Sequence, residues 1–286
     1  MDLVDAILLG ILQGATEFLP ISSSGHLVLG QIALGLEDPE LLFDIVLHVG
    51  TLLAVVGFYR RDLRMVAAGV RRGAARIWRG GALRSGLEPE GARLAILIAV
   101  GSVPTALLGI AVERFVPLER GTSGAAILVC IALLVNGFVL FAGRWADDER
   151  ATPREGDAVL WNVTIPVALL VGTAQGIAVL PGLSRSGLTI VTALLLGVWR
   201  EEAARYSFLL SVPAILGALA LEFDPTVFQG PNLAGELVLY GAGACTATAV
   251  GYVAIMWLVQ LVRRAQFHHF SWYCWALGAS GLLAAI

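Results

Sequence analysis

The chain has 286 residues, 57% of them apolar and only 14% charged, with a formal net charge of −3 and a mean hydropathy of +0.80. A soluble globular domain is nearer half apolar and a quarter charged, so a soluble class is excluded. The small net charge says little about partners in so apolar a chain, and no lysine is present, which leaves arginine as the basic side chain throughout.

In chain order, the apolar runs are 3–19, 25–36, 43–59, 93–112, 124–143, 160–180, 187–199, 206–222, 235–262 and 270–286. A helix needs roughly 20 such residues to cross a bilayer, so the pattern is that of an all-α polytopic membrane protein. The start, MDLVDAILLG, carries two aspartates and no basic residue. It therefore lacks the positive region of a secretory signal and is read as structure. Two runs, 25–36 and 187–199, are too short to cross, and each follows a Pro/Ser/Gly break, at 20–25 and 181–187. The pattern predicts two helical hairpins that enter the membrane, break and turn back, with irregular backbone shielded inside protein or lining a wet cavity.

Arginine placement sets the orientation. Nine arginines lie in a predicted loop from Arg60 to Arg93; Arg144, Arg150 and Arg154 follow the fifth run, Arg200 and Arg205 flank the seventh, and Arg263 and Arg264 follow the ninth. If both hairpins return to the side they enter, 16 of the 19 arginines share one face. Arg114, Arg120 and the acidic stretch with Glu222, Asp224 and Glu236 fall opposite, and Arg185 lies inside a break. The arginine-rich face is then cytoplasmic, with both termini outside. Trp145, Trp161 and Trp199 mark span ends. Cys130, Cys245 and Cys274 sit in apolar runs without ligand spacing and read as packing thiols.

The two breaks resemble each other. Gln13-Gly14 and Gln175-Gly176 lie 162 residues apart, and at the same offset Ser22, Ser24 and Gly25 match Ser184, Ser186 and Gly187. Downstream, FDIVLHVGTLLAV at 43–55 has a counterpart in YSFLLSVPAILGA at 206–218. Under the topology above the two copies enter from opposite sides. That predicts inverted-topology repeats, residues 1–155 and 156–286, with the functional site where the two broken hairpins meet.

In the first break, LQGATEFLPISSSGHL, Gln13 and Glu17 share a helix face, Pro20 ends the helix, and Ser22, Ser23 and Ser24 lead to Gly25 and His26. The second, VLPGLSRSGLTIV, offers Ser184, Arg185, Ser186, Gly187 and Thr189. Charges inside a bilayer need partners. Glu17 and Arg185 can pair simply to hold the halves together; alternatively, Arg185 grips a phosphate as a fork while Glu17 holds a divalent metal. Half-helix starts favour anions. His26 is a candidate proton carrier or nucleophile, and a nearby serine a candidate attacking group. Asp44 and His48, one turn apart, are supporting candidates.

The stretches QGATEFLPISSSGH and PGLSRSGLT, with the two downstream segments, resemble the signature regions of the bacterial undecaprenyl-diphosphate phosphatase family. The resemblance implies a multi-pass enzyme of the bacterial plasma (inner) membrane. It would hydrolyse undecaprenyl diphosphate to the monophosphate, recycling the carrier lipid for peptidoglycan, with a link to bacitracin resistance. It implies a divalent cation, Mg2+ or Ca2+, and an active site open to the outer face. Carried over by position, the acidic motif falls on Gln13 and Glu17, the serine-histidine element on Ser22, Ser23 and His26, and the second motif on Ser184, Arg185, Ser186 and Thr189. Many members have glutamate where Gln13 stands; Gln13 brings no charge and would bind metal through its amide oxygen or orient water. Ser24 is expected to cap the following helix. The expected partners are an isoprenoid diphosphate lipid and the bilayer, with a homodimer as the candidate assembly and no nucleic acid. The competing reading is a transporter or flippase for isoprenoid phosphates, because broken inverted repeats are a transporter architecture.

Overall fold

A computed structural model describes residues 1–36, 41–79, 90–115, 123–146, 162–222 and 233–285. Arg84, Arg120, Arg150, Arg154, Trp161 and Asp224 lie outside the described residues. Every regular element among those described is helical: α1 (Leu3–Phe18), α2 (Ser23–Ala33), α3 (Leu41–Phe58), α4 (Arg60–Trp78), α5 (Glu90–Phe115), α6 (Ser123–Ala142), α7 (Ile165–Ile177), α8 (Arg185–Leu195), α9 (Arg200–Glu222), α10 (Leu233–Arg263) and α11 (Phe270–Ala285), with short 3-10 turns at Gly143–Trp145 and Phe267–His269. Stretches within α5, α9 and α10, and one running from α6 into the turn after it, are long and apolar enough to cross a bilayer. The chain is a multi-pass membrane protein.

The two aspartates at the start are a helix cap. Asp2 Oδ1 accepts from the backbone N–H groups of Val4 and Asp5 at 2.8 and 2.9 Å, and Asp5 Oδ2 accepts from Asp2 N at 2.9 Å. This capping box satisfies amides that the first turn of α1 leaves without a partner.

Both broken segments are helical hairpins. Helix α1 has 16 residues and α7 has 13, about 24 and 20 Å at 1.5 Å per residue, short of a full bilayer core. The apolar run at 160–180 thus yields a shorter helix than its length suggests. Helix α2 turns back along α1, with Gly30 against Leu9 and Leu12. Helix α8 turns back along α7, and Asn162 at the foot of α7 donates to the Gly197 carbonyl just beyond α8 at 3.1 Å. Ser22 turns the first break at φ +69°, unusual for a residue with a Cβ. Gly182 turns the second at φ +92°, where glycine carries no penalty.

The expected loop from Arg60 to Arg93 is corrected: its first part is helix α4, bent by 79° from α3 at Tyr59. Arginines interrupt every apolar run there, so a search for continuous apolar stretches passes over a helix whose apolar residues lie on one side. The arginine-rich ends do gather at one end of the bundle. Arg205 at the start of α9 pairs with Asp62 of α4 and, at 3.2 Å, with Glu202. Arg263 at the end of α10 meets Glu201 at 2.5 Å, and Arg93 donates to the Val163 carbonyl before α7 at 3.0 Å.

Small residues let the helices approach backbone to backbone. A Cβ at Gly10 or Gly14 of α1 would meet the carbonyls of Gly243 or Ala247 in α10 at 2.6 or 2.7 Å. Gly172 of α7 sits likewise on Gly101 of α5, where Thr105 Oγ1 donates to the Gly172 carbonyl at 2.8 Å. Such close approach supplies the packing that lipid, itself apolar, cannot drive. Phe18, Tyr59 and Phe208 interlock beneath the breaks in the main apolar core.

Candidate active site

Glu17 is the hub. It sits at the last turn of α1 with Gln13 one turn before it, and Gln13 Nε2 donates to Glu17 Oε2 at 3.1 Å. Ser23, the first residue of α2, donates from Oγ to the same oxygen at 2.6 Å. Arg185, which opens α8, holds the other oxygen, Oε1, through Nη2. His48 of α3 places Nε2 3.8 Å from Glu17 Oε2 while its Nδ1 donates to the Asp44 carbonyl at 2.7 Å. The two breaks therefore meet, and Gln13, Glu17, Ser23 and Arg185 converge as the sequence anticipates, with His48 beside them.

Two atoms of this cluster are buried without a hydrogen-bond partner among the described residues: Gln13 Oε1 and Arg185 Nη1. A buried polar atom left unsatisfied costs on the order of 1–3 kcal/mol, more when charged. They are also of opposite kind. A carbonyl oxygen can take a cation, and a guanidinium N–H can take an anion. The pair flanking the Glu17 carboxylate is thus matched to a ligand that brings both, such as a metal-complexed phosphate.

The start of α2 is open on its polar side. Ser22 occupies the N-cap position but makes no side-chain cap bond. Ser24, the expected cap, lies one residue inside the helix, exposed, with its Oγ 3.4 Å from Ser22 Oγ. The cap assignment is corrected accordingly: Ser22 stands at the boundary because its turn conformation, not its hydroxyl, starts the helix. At Gly25 an added Cβ would meet Val129 and the Ser22 hydroxyl at 3.7 and 3.8 Å, ordinary van der Waals contact, so the position is not crowded.

The second break is built differently. Ser184 caps α8, its Oγ accepting from Gly187 N at 3.1 Å and lying 3.1 Å from Ser186 Oγ. Thr189 Oγ1 donates back to the Arg185 carbonyl at 2.8 Å and sits 2.5 Å from Ser207 Oγ. Gly187 is packed, with Leu140, Ser184 and Asn136 within 3.1–3.3 Å of a built Cβ. These residues shape the turn that presents Arg185, and they tie it to Ser207 of α9 and Asn136 of α6.

His26, in the first turn of α2, bonds to the backbone of the first break and to α11. Its Nδ1 donates to the Ser22 carbonyl at 2.7 Å, so in the neutral ring Nε2 accepts from Tyr273 Oη at 2.5 Å. The two rings also stack, 5.7 Å apart at 19°. Tyr273 on α11 is a residue that sequence reasoning missed.

So is Asn136. This buried amide of α6 donates from Nδ2 to the Pro20 carbonyl at 2.9 Å and accepts at Oδ1 from Ser184 N at 3.1 Å, so one side chain pins both breaks. Its signal was a lone amide in an apolar span. Asn136→Ala leaves Ser184 N buried without its partner, at about 1–3 kcal/mol, and leaves the Pro20 carbonyl only the weak thiol contact of Cys274 at 3.6 Å. We expect a clearly lower melting temperature in detergent and a matching loss of activity.

Oxygen donors suit a hard divalent cation. Gln13 Oε1, the Glu17 carboxylate and Ser23 Oγ are such donors, and no group of three or more His, Cys, Asp or Glu among the described residues forms a metal cage. One carboxylate with the remaining positions left to phosphate oxygens and water is how Mg2+ is commonly held, so the residues fit.

The family profile described as "Bacitracin resistance protein BacA" matches residues 6–280. An undecaprenyl-diphosphatase of Desulfosudis oleivorans is 44% identical over 278 residues, 97% of each chain. Relatives bearing the same name in Korarchaeum cryptofilum and Rubrobacter xylanophilus are each 41% identical, over 97% and 100% of this chain and 97% and 98% of their own. Matched from its first hairpin through its last helix, the chain belongs to the BacA family of bacitracin resistance proteins.

Proposed function

We propose that the chain is an undecaprenyl-diphosphatase, hydrolysing undecaprenyl diphosphate to undecaprenyl phosphate and inorganic phosphate. The observation that carries this reading is the opposed pair of unsatisfied atoms, Gln13 Oε1 and Arg185 Nη1, on either side of Glu17. Relatives of the same length bear that enzyme name.

In this reading Arg185 spans two partners, keeping Nη2 on Glu17 and offering Nη1 to the terminal phosphate. The uncapped start of α2 at Ser23 and Ser24 adds backbone donors and positive dipole. Glu17 and Gln13 Oε1 would hold a divalent cation, Mg2+ or Ca2+, which when bound would neutralise diphosphate charge. Ser23 Oγ, its hydrogen already directed at Glu17 Oε2, attacks the terminal phosphorus. Its proton passes to Glu17, the bond from that phosphorus to the bridging oxygen breaks, and undecaprenyl phosphate leaves. Water then hydrolyses the phosphoserine, releasing inorganic phosphate and restoring Ser23. His26, oriented by Tyr273, serves as the proton carrier at the mouth of the break. Ser22 and Gly25 shape the first phosphate-facing turn, while Ser184, Ser186, Gly187 and Thr189 hold the second.

The halves 1–155 and 156–286 are read as inverted repeats in a bacterial inner membrane, with the arginine-rich end cytoplasmic and the site open to the outer face. Two features support this. The glycine contact of α1 with α10 is repeated by that of α7 with α5, and Ser23 and Arg185 stand at the shared 162-residue offset.

The test is phosphate release from farnesyl or undecaprenyl diphosphate by the purified full chain in detergent, with Mg2+ and with chelator. Release that requires the cation supports the enzyme. Lipid-diphosphate binding with no release by folded protein favours the transporter.

A further inference from the structure

We propose that α4 is a membrane-surface helix whose arginine face binds the headgroups of anionic phospholipids in the leaflet at the arginine-rich end of the bundle. Its 79° bend from the apolar α3 sets α4 nearly across the direction of the spanning helices. Its first half is fixed to the protein. Gly69 lies against the backbone of Gly91 and Ala92 at the start of α5, and Asp62 pairs with Arg205.

From Arg64 onward the helix carries two unlike faces. Ala67, Val70, Ala74 and Ile77 recur at helical spacing and are exposed, Val70 at 52% and Ile77 at 55%, and Trp78 closes the helix at 92%. Arg64, Arg71, Arg72, Arg76 and Arg79 are exposed elsewhere around the helix. Among the described residues none of these five meets an acidic partner. A shallow hollow of about 320 Å³ lies between Arg72, Ala75, Arg76 and Arg79.

An apolar stripe beside an unpaired arginine face is what an interfacial helix presents. The stripe settles at the boundary of the acyl chains, Trp78 sits at headgroup level as tryptophans do, and the guanidinium groups meet lipid phosphates bidentately. The charge complementarity selects an anionic bilayer surface over a neutral one. This assignment needs only the membrane fold and does not depend on the phosphatase reading.

The experiment uses the full chain in nanodiscs of phosphatidylcholine, alone or mixed equally with phosphatidylglycerol. Spin labels are placed singly through Val70→Cys, Ile77→Cys, Arg72→Cys and Arg76→Cys, with Cys130 and Cys245 replaced by alanine. Positions 70 and 77 are expected to be reached by oxygen from the lipid, and 72 and 76 by a water-soluble nickel reagent. In detergent extracts, native mass spectrometry is expected to find phosphatidylglycerol enriched on wild-type protein. That enrichment should fall about tenfold when Arg64, Arg71, Arg72, Arg76 and Arg79 are replaced by Gln, and should weaken with salt. The labels report on nearly intact α4, so the proposal stays testable even if the five-residue variant folds poorly. Water access at all four positions would overturn it, as would equal phosphatidylglycerol retention by the folded variant. Positions 70 and 77 closed to both reagents would also overturn it, placing a second protein surface on the stripe.

Discussion

Glu17→Gln is expected to lower phosphate release by about 10³-fold or more at saturating Mg2+. The substitution keeps the shape and Oε1 while removing the charge and the base toward which Ser23 points. General base catalysis alone is worth about 10²–10⁴, and loss of cation binding adds to it. The same change leaves Arg185 without its carboxylate in a largely buried setting. Breaking such a pair costs on the order of 3–5 kcal/mol, so the melting temperature should fall too. Reading activity on the folded fraction separates the two effects. Activity within tenfold of wild type would remove Glu17 from the chemistry and leave it a tie between the hairpins.

Arg185→Lys is expected to cost about 10²-fold in kcat/KM, and Arg185→Ala at least about 10³-fold, the range seen for arginines that stabilise phosphoryl transfer. Lysine keeps the positive charge, so the pairing with Glu17 and much of the stability survive. What it loses is the fork: one ammonium cannot hold Glu17 and also offer the second planar N–H that Nη1 supplies. The measurement is steady-state kinetics across lipid-diphosphate concentration, with melting temperatures alongside. Equal losses in the lysine and alanine variants would point to planar geometry alone, and no loss in either would sink the phosphate-binding role.

Much of this site was legible because the bilayer makes polar residues conspicuous. Gln13 and Glu17 announce themselves at a one-turn spacing in an apolar run, and an intramembrane Glu17 and Arg185 each demand a partner, which they find in one another. The structural pairing, one of the two readings the sequence offers for Glu17 and Arg185, is thus present, and the unsatisfied Nη1 and Oε1 beside it leave room for a ligand as well. What was not legible depends on distance along the chain. Asn136 reaches Pro20 and Ser184, which are 116 and 48 residues away, and Tyr273 reaches His26 across 247. No local spacing encodes those meetings. Helix α4 escaped for a different reason: its signal is a stripe, and arginines at most turns break every run that would have revealed it. The partners of Thr189 and Gly187 were hidden in the same way, since only packing shows that Ser207 and Leu140 occupy the space around them.

The most direct test of the central claim is equilibrium binding of a non-hydrolysable farnesyl methylenediphosphonate to the purified chain, with and without Mg2+. If Gln13, Glu17 and Arg185 together hold a metal-complexed diphosphate, wild type binds tightly only with the cation, Glu17→Gln loses the cation dependence, and Arg185→Lys binds weakly while keeping it. Binding of equal strength in all three proteins, indifferent to Mg2+, would place the diphosphate elsewhere and contradict the account.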